Sequence, residues 1–122
     1  MLLLNLESSI KLKVKFSGLI PELARLVTQG DRDKDSEGRI KGWLRTIISN
    51  RPSDIQILTV KENKFITVQN PNQKDIIAIL DLICNEKNGI LYFRDYPIKV
   101  GNMIIFTTDI YSISGIIIGL EN

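Results

Sequence analysis

From Ser9 to Ser17 apolar and polar residues alternate without a miss: Ile10, Leu12, Val14 and Phe16 share one parity, and Lys11, Lys13 and Lys15 share the other. A period of two matches the pleat of a strand, so the pattern predicts a half-buried one. In "LIPELARLVTQG" the spacing becomes helical: Leu23, Leu26 and Val27 fall on one side, with Pro21 near the start and Gly30 at the stop. One short helix is predicted there. Beyond an acidic stretch, "RIKGWLRTIIS" returns to period two, with Ile40, Leu44 and Ile48 on one parity and Arg39, Lys41, Trp43 and Arg45 on the other. Gly42 inside that run marks a bulge or a close approach. "NRPSD" has the chemistry of a turn, "IQILTV" and "FITVQN" form a hairpin across "KENK", and "NPNQ" breaks the chain again.

The run "DIIAILDLICNEKNGILYF" fits a buried strand or a buried helix by periodicity alone. Its isoleucine content and the hairpin signal Asn88-Gly89 select strands. Two more follow, with Gly101-Asn102 and Thr108-Asp109 as breaks. The expected fold is mainly β (α+β): a compact β-barrel or sandwich of about seven short, mostly antiparallel strands, with one short helix after the first strand. At 122 residues there is apolar material for one core. Residues 9–122 are therefore expected to form a single β-rich domain behind an N-terminal segment of residues 1–8. "MLLLNLESS" is too short for a signal peptide, and it reads either as the end of a membrane helix or as a frayed terminus.

Composition narrows the chemistry. With no histidine and a single cysteine, Cys84, the chain has no histidine acid-base catalyst, no histidine or multi-cysteine zinc site and no internal disulfide. Cys84 closes an apolar run and reads as an inert core thiol. The net charge of +2 is too small to mark a nucleic-acid protein in bulk, so any basic surface must come from local arrangement.

Two local arrangements stand out. In "DRDKDSEG" the residues Asp31, Asp33 and Asp35 match the first three ligand positions of a calcium loop. They are the only metal candidates, and weak ones. The sixth position is Ser36 where the loop needs glycine, the twelfth is Gly42 where it needs glutamate, and Arg32 and Lys34 offset the charge. The competing reading is a solvated turn between the helix and the next strand. The second arrangement is a candidate interaction face: Lys11, Lys13 and Lys15 on one strand, and Arg39, Lys41, Trp43 and Arg45 on another. If the two strands are neighbours, the sets merge into a positive face with one stacking aromatic, as in barrels that hold single-stranded nucleic acid. The competing reading is a solvated lysine ladder that protects an edge strand. Asp95 and Tyr96 in "FRDYP" read as a turn before Pro97, with Tyr96 packed against the barrel.

From about Ile10 to Leu120 the chain resembles family forty-three thirty of the bacterial domains of unknown function. The likeness rests on order: a lysine-rich strand, a helix ending in "QGD", then "ISNRPSDIQILTV", "NGILYFRDYPIKVGNMIIF" and "YSISGIIIGLE", with "IKVG" before an apolar strand the most specific part. It implies a single-span membrane protein with one N-terminal helix ahead of a small domain of this kind, although no span precedes Ile10 here. It carries over no functional residue. The expectation is thus a non-enzymatic binding domain, the soluble part of a membrane-anchored bacterial protein. It would be membrane-associated through an N-terminal helix absent here, otherwise cytoplasmic, with the side of the membrane open, and would need no cofactor. The expected partner is another protein, met along an exposed strand edge or the Lys11, Lys13, Lys15 face. The alternative is a single-stranded nucleic-acid-binding barrel.

Overall fold

The computed structural model describes residues 7–121. Strands take up 70% of the chain and helix 5%, which makes the protein mainly β. β1 (Glu7–Leu19) leads to α1 (Pro21–Leu26) and then β2 (Arg32–Lys34), β3 (Ile40–Thr59), β4 (Lys64–Lys87), β5 (Ile90–Phe93), β6 (Tyr96–Pro97), β7 (Met103–Thr107) and β8 (Ser112–Glu121). They form one antiparallel sheet, ordered β2-β3-β4-β1-β8-β7, with β5 on the end of β4 and β6 beyond it. The sheet curls into a half-barrel, so of the two expected architectures the barrel-like one is present. No helix among the described residues is long and apolar enough to cross a membrane.

The alternation that predicts β1 also builds the core. Leu12, Val14 and Phe16 point into the curl and are fully buried, as are Ile76, Leu80 and Leu82 on the paired β4. β1 starts at Glu7, pairing with Asn85, so the strand takes in two residues assigned to the N-terminal segment. The remainder of that segment lies outside the described residues. The curl is tight at two glycines. A Cβ on Gly115 would lie 2.6 Å from Val14 Cγ1 and 2.7 Å from Phe16 Cδ1, so β8 can cross β1 only without a side chain there. A Cβ on Gly42 would lie 2.6 Å from Leu82 Cδ2, and beside it the register to β2 shifts from Asp33 with Gly42 to Lys34 with Ile40, so this glycine marks both a close approach and a bulge.

Several expectations change. β1 is not an edge, because β4 and β8 flank it. "NRPSD" and "NPNQ" do not end strands: β3 and β4 run through them, and the proline segments become register shifts. Shifts after Leu44 and after Ile47 also break the simple parity of β3, so Ile47 packs on the core while Ile48 faces out. An extra residue in one strand inverts the facing of all that follow it, which a strict period of two does not capture. The Asn88-Gly89 hairpin is present, with both residues at positive φ as a tight primed turn requires.

Candidate functional site: a projecting hairpin

The acidic stretch divides in two: its first half is a strand, and Asp35 to Gly38 form the exposed turn into β3. Arg32 to Lys34 form β2, and the odd positions face inward, so Asp33 is completely buried. Its Oδ2 accepts the Thr107 N–H of β7 at 2.8 Å, and its Oδ1 accepts from the Arg94 guanidinium, which also donates to Lys34 O at 2.9 Å. Burial pushes the Asp33 carboxyl up from its usual value, while the Thr107 N–H and Arg94 draw it back. Asp31 accepts from the Tyr111 hydroxyl and from the Thr28 N–H, and Lys34 pairs with Asp109 at 2.7 Å. Burial, then the bond to Asp31, raises the Tyr111 phenol. Asp35 closes the β2–β3 turn, accepting from the backbone of Glu37 and Arg39 and from Arg39 Nε, each at 2.9 Å. The Arg39 backbone bond comes first among the causes that hold the Asp35 carboxyl below its usual range.

The three metal candidates therefore take up three separate hydrogen-bonding tasks. Among the described residues no three acidic or cysteine side chains come together as ligands. The stretch instead seams the half-barrel, joining β2 to β7 by side chains where the strands make no ladder. Its signal in the sequence was the strict alternation of Asp31, Asp33 and Asp35 with Arg32 and Lys34, a strand period in charged residues.

The two basic sets lie on the outer face but are not neighbours. β4 runs between β1 and β3, which puts them two strands, about 10 Å, apart. Across that gap Asp81 stands in register with both Lys11 and Trp43, and its Oδ2 accepts from Arg45 Nε at 2.5 Å. Arg45 also lies 5.1 Å from the half-buried Trp43 ring. Acidic partners meet Lys15 (Asp75, 3.9 Å), Lys41 (Glu7, 4.0 Å) and Arg39 (Asp35, 2.9 Å; Glu37, 3.3 Å). Lys11 and Lys13 stand opposite Glu121 and Gly119 on β8. The face is a mosaic of both signs around the outward isoleucines Ile77 and Ile79, and Trp43 is occupied by its own arginine.

The feature that sequence reasoning missed is at the far end of β3 and β4. Residues 53–59 and 64–70 pair only with each other, from Ser53 with Asn70 to Thr59 with Lys64, and project from the sheet as a two-stranded arm. At its root the register jumps: Pro52 pairs with Lys74, the next pair is Ser53 with Asn70, and residues 71–73 bulge out. Asp75 fastens the root, since its Oδ1 accepts from Ser53 Oγ at 2.6 Å and from the Gly18 N–H at 2.9 Å. Burial opposes ionisation there, but the Ser53 and Gly18 bonds with Lys15 and Arg51 outweigh it and hold Asp75 below its usual range.

Along the arm Ile55 pairs with Val68 and Ile57 with Ile66, so one face carries four β-branched aliphatics; the other carries Gln56, Thr67, Leu58 and Phe65. Such cross-strand pairs favour the ribbon locally. Among the described residues nothing covers them: Val60 is 90% exposed, Phe65 is 70% exposed, and Ile57, Leu58 and Ile66 are exposed as well. The strands were legible in the sequence; their lack of a roof was not. The available signal was a proline on each side of one hairpin, Pro52 and Pro71, each unable to donate to a ladder. Cys84 is buried, and desolvation raises its thiol to about 11, so it offers no nucleophile.

No protein-family model, no curated protein and no solved structure matches this chain.

Proposed function

We propose that this is a non-enzymatic binding domain that meets a protein partner through the arm, with the half-barrel as a rigid mount. The observation that carries it is the exposed apolar ribbon, whose Val60, Phe65, Leu58, Ile57 and Ile66 are open to solvent on one projecting element. Contiguous apolar surface of this kind marks interaction sites. The polar tip, Lys61, Glu62 and Asn63, argues against insertion into a bilayer, because those groups would enter first. Strand edges and alternate side chains are a common means of gripping a protein. The resemblance to family forty-three thirty supports placing the domain beside a membrane, as the part outside the bilayer of an anchored bacterial protein.

The test is crosslinking capture in cells with the full chain and with a Val60→Ser/Phe65→Ser variant. A partner held by the parent and lost by a variant with unchanged circular dichroism supports the arm. Identical captures overturn it. Salt-sensitive quenching of Trp43 by single-stranded oligonucleotides, indifferent to the arm substitutions, replaces it with the nucleic-acid reading.

A further inference from the structure

We propose that the arm pairs with the arm of a second copy of this chain, by antiparallel addition of β4 to β4 about Thr67. The inference rests on the reading of the arm as a contact element and specifies its occupant. Natural sheets guard their edges with charges, prolines, short strands or covering elements. Some other edges here are short or flanked by charge, while that of β7, Met103–Thr107, has only its Thr107 N–H taken, by Asp33. β2 is three residues long and bridged to β7 by Asp33, β6 is two residues long and ends in Pro97, and the β3 edge of the arm carries Asp54 just past Arg51 and Pro52. The β4 edge of the arm lies between Lys64 and Pro71. From Phe65 to Asn70 it reads "FITVQN", with neither a charge nor a proline.

That edge is self-complementary. Pairing about Thr67 sets Thr67 beside Thr67 of the second copy, Ile66 beside Val68 of the second copy and Phe65 beside Gln69 of the second copy. Because opposed residues in an antiparallel pair share a face, the two apolar faces join. Rows then run Ile55, Val68, then Ile66 and Ile57 of the second copy, and the reverse. The two Lys64 residues fall at opposite ends of the seven-residue pairing, roughly 20 Å apart, and no like charges meet. A shift of one residue would put the apolar faces on opposite sides. A twofold contact is closed in itself, since it uses the same β4 edge on both copies, and it leaves the two β3 edges outermost. The contact is short, below the roughly 1,000 Å² of a stable interface, so the pairing is concentration-dependent.

Sedimentation of the full chain over about 5–500 µM tests this, a range suited to a small interface. The expected result is an average mass that climbs from 13.8 kDa toward twice that value. Thr67→Lys, which opposes two charges on the twofold axis, should weaken the dimer at least about tenfold while leaving the circular dichroism and urea midpoint in place. A nitroxide on Thr67→Cys should show dipolar broadening that a label on Asp109→Cys, on the barrel, does not; buried Cys84 does not compete for the label. A monomer at the highest concentration overturns the pairing, and so does a dimer indifferent to Thr67→Lys. In either case a foreign partner that is still lost on Val60→Ser/Phe65→Ser leaves the arm reading standing, and its retention removes that reading too.

Discussion

β3 and β4 pass through two settings in one molecule. In the half-barrel β4 carries Ile76, Leu80 and Leu82 buried under β1 and the curl, and nearer its start the same strand carries Phe65 and Ile66 open to water. Both stretches alternate, both carry β-branched residues, and both pair with β3 in antiparallel register. What separates them is the number of neighbours. In the body β4 lies between β3 and β1, and in the arm it has β3 alone. The same local pattern thus yields a core in one place and a contact surface in the other. An isolated two-stranded ribbon is marginally stable, so the arm depends on its root and on what it binds.

The widest separation should come from one residue type in both settings. Phe16→Ala, in the body, should cost about 3–5 kcal/mol by opening a cavity. Urea unfolding measures it, and a loss under about 1 kcal/mol would mean the curl is not packed as described. Next comes the seam: Arg94→Leu leaves the buried Asp33 carboxylate with the Thr107 N–H alone and should cost about 3 kcal/mol, at the low end for a broken buried pair because Arg94 is partly exposed. Burial already raises Asp33, and removing its cation raises it further. A group that binds its proton more tightly when folded gains stability as pH falls, so this variant should recover part of its loss on mild acidification. Equal losses at all pH values would put the ion pair outside the fold's energetics.

Gly115→Ala should cost about 1–3 kcal/mol, since its methyl must displace Val14 and Phe16. At the joint between the two regions, Asp75→Asn should cost about 1–2 kcal/mol near neutral pH. Asp75 is held below its ordinary value, so its contribution is present above the usual carboxylate range and lost as pH falls through its folded value. The parent and Asp75→Asn should therefore converge in acid, and persistent divergence at low pH would assign the effect to shape instead of charge. The smallest change is expected at Phe65→Ala, within about 0.5 kcal/mol, despite the size of the side chain it removes. A cost near that of Phe16→Ala would show that the arm is roofed by something in its own chain.

Much of this was legible in advance where the signal was local. The period of two from Ile10 to Phe16, the Asn88-Gly89 turn, the short helix after the first strand and the burial of Cys84 each depend on neighbours a few residues away, and each is present. Lys11, Lys13 and Lys15 do face outward, but whether they join Lys41 and Trp43 depended on β4 lying between them, a pairing across more than thirty residues of sequence. Asp33 is the sharpest case. Its parity could be counted from "DRDKD", yet its burial required Arg94 and Thr107, more than sixty residues away, to supply donors that compensate a desolvated carboxylate.

The sequence by itself determined that this chain is mainly β and without histidine chemistry, because strand period, turn residues and composition act over short range. Only the tertiary structure decided which strands acquire a second neighbour, since pairing across the chain depends on closing long loops and on the total apolar area that can be covered at once. That decision turned an acidic run into the seam of a half-barrel, and left an isoleucine-rich hairpin as its open arm.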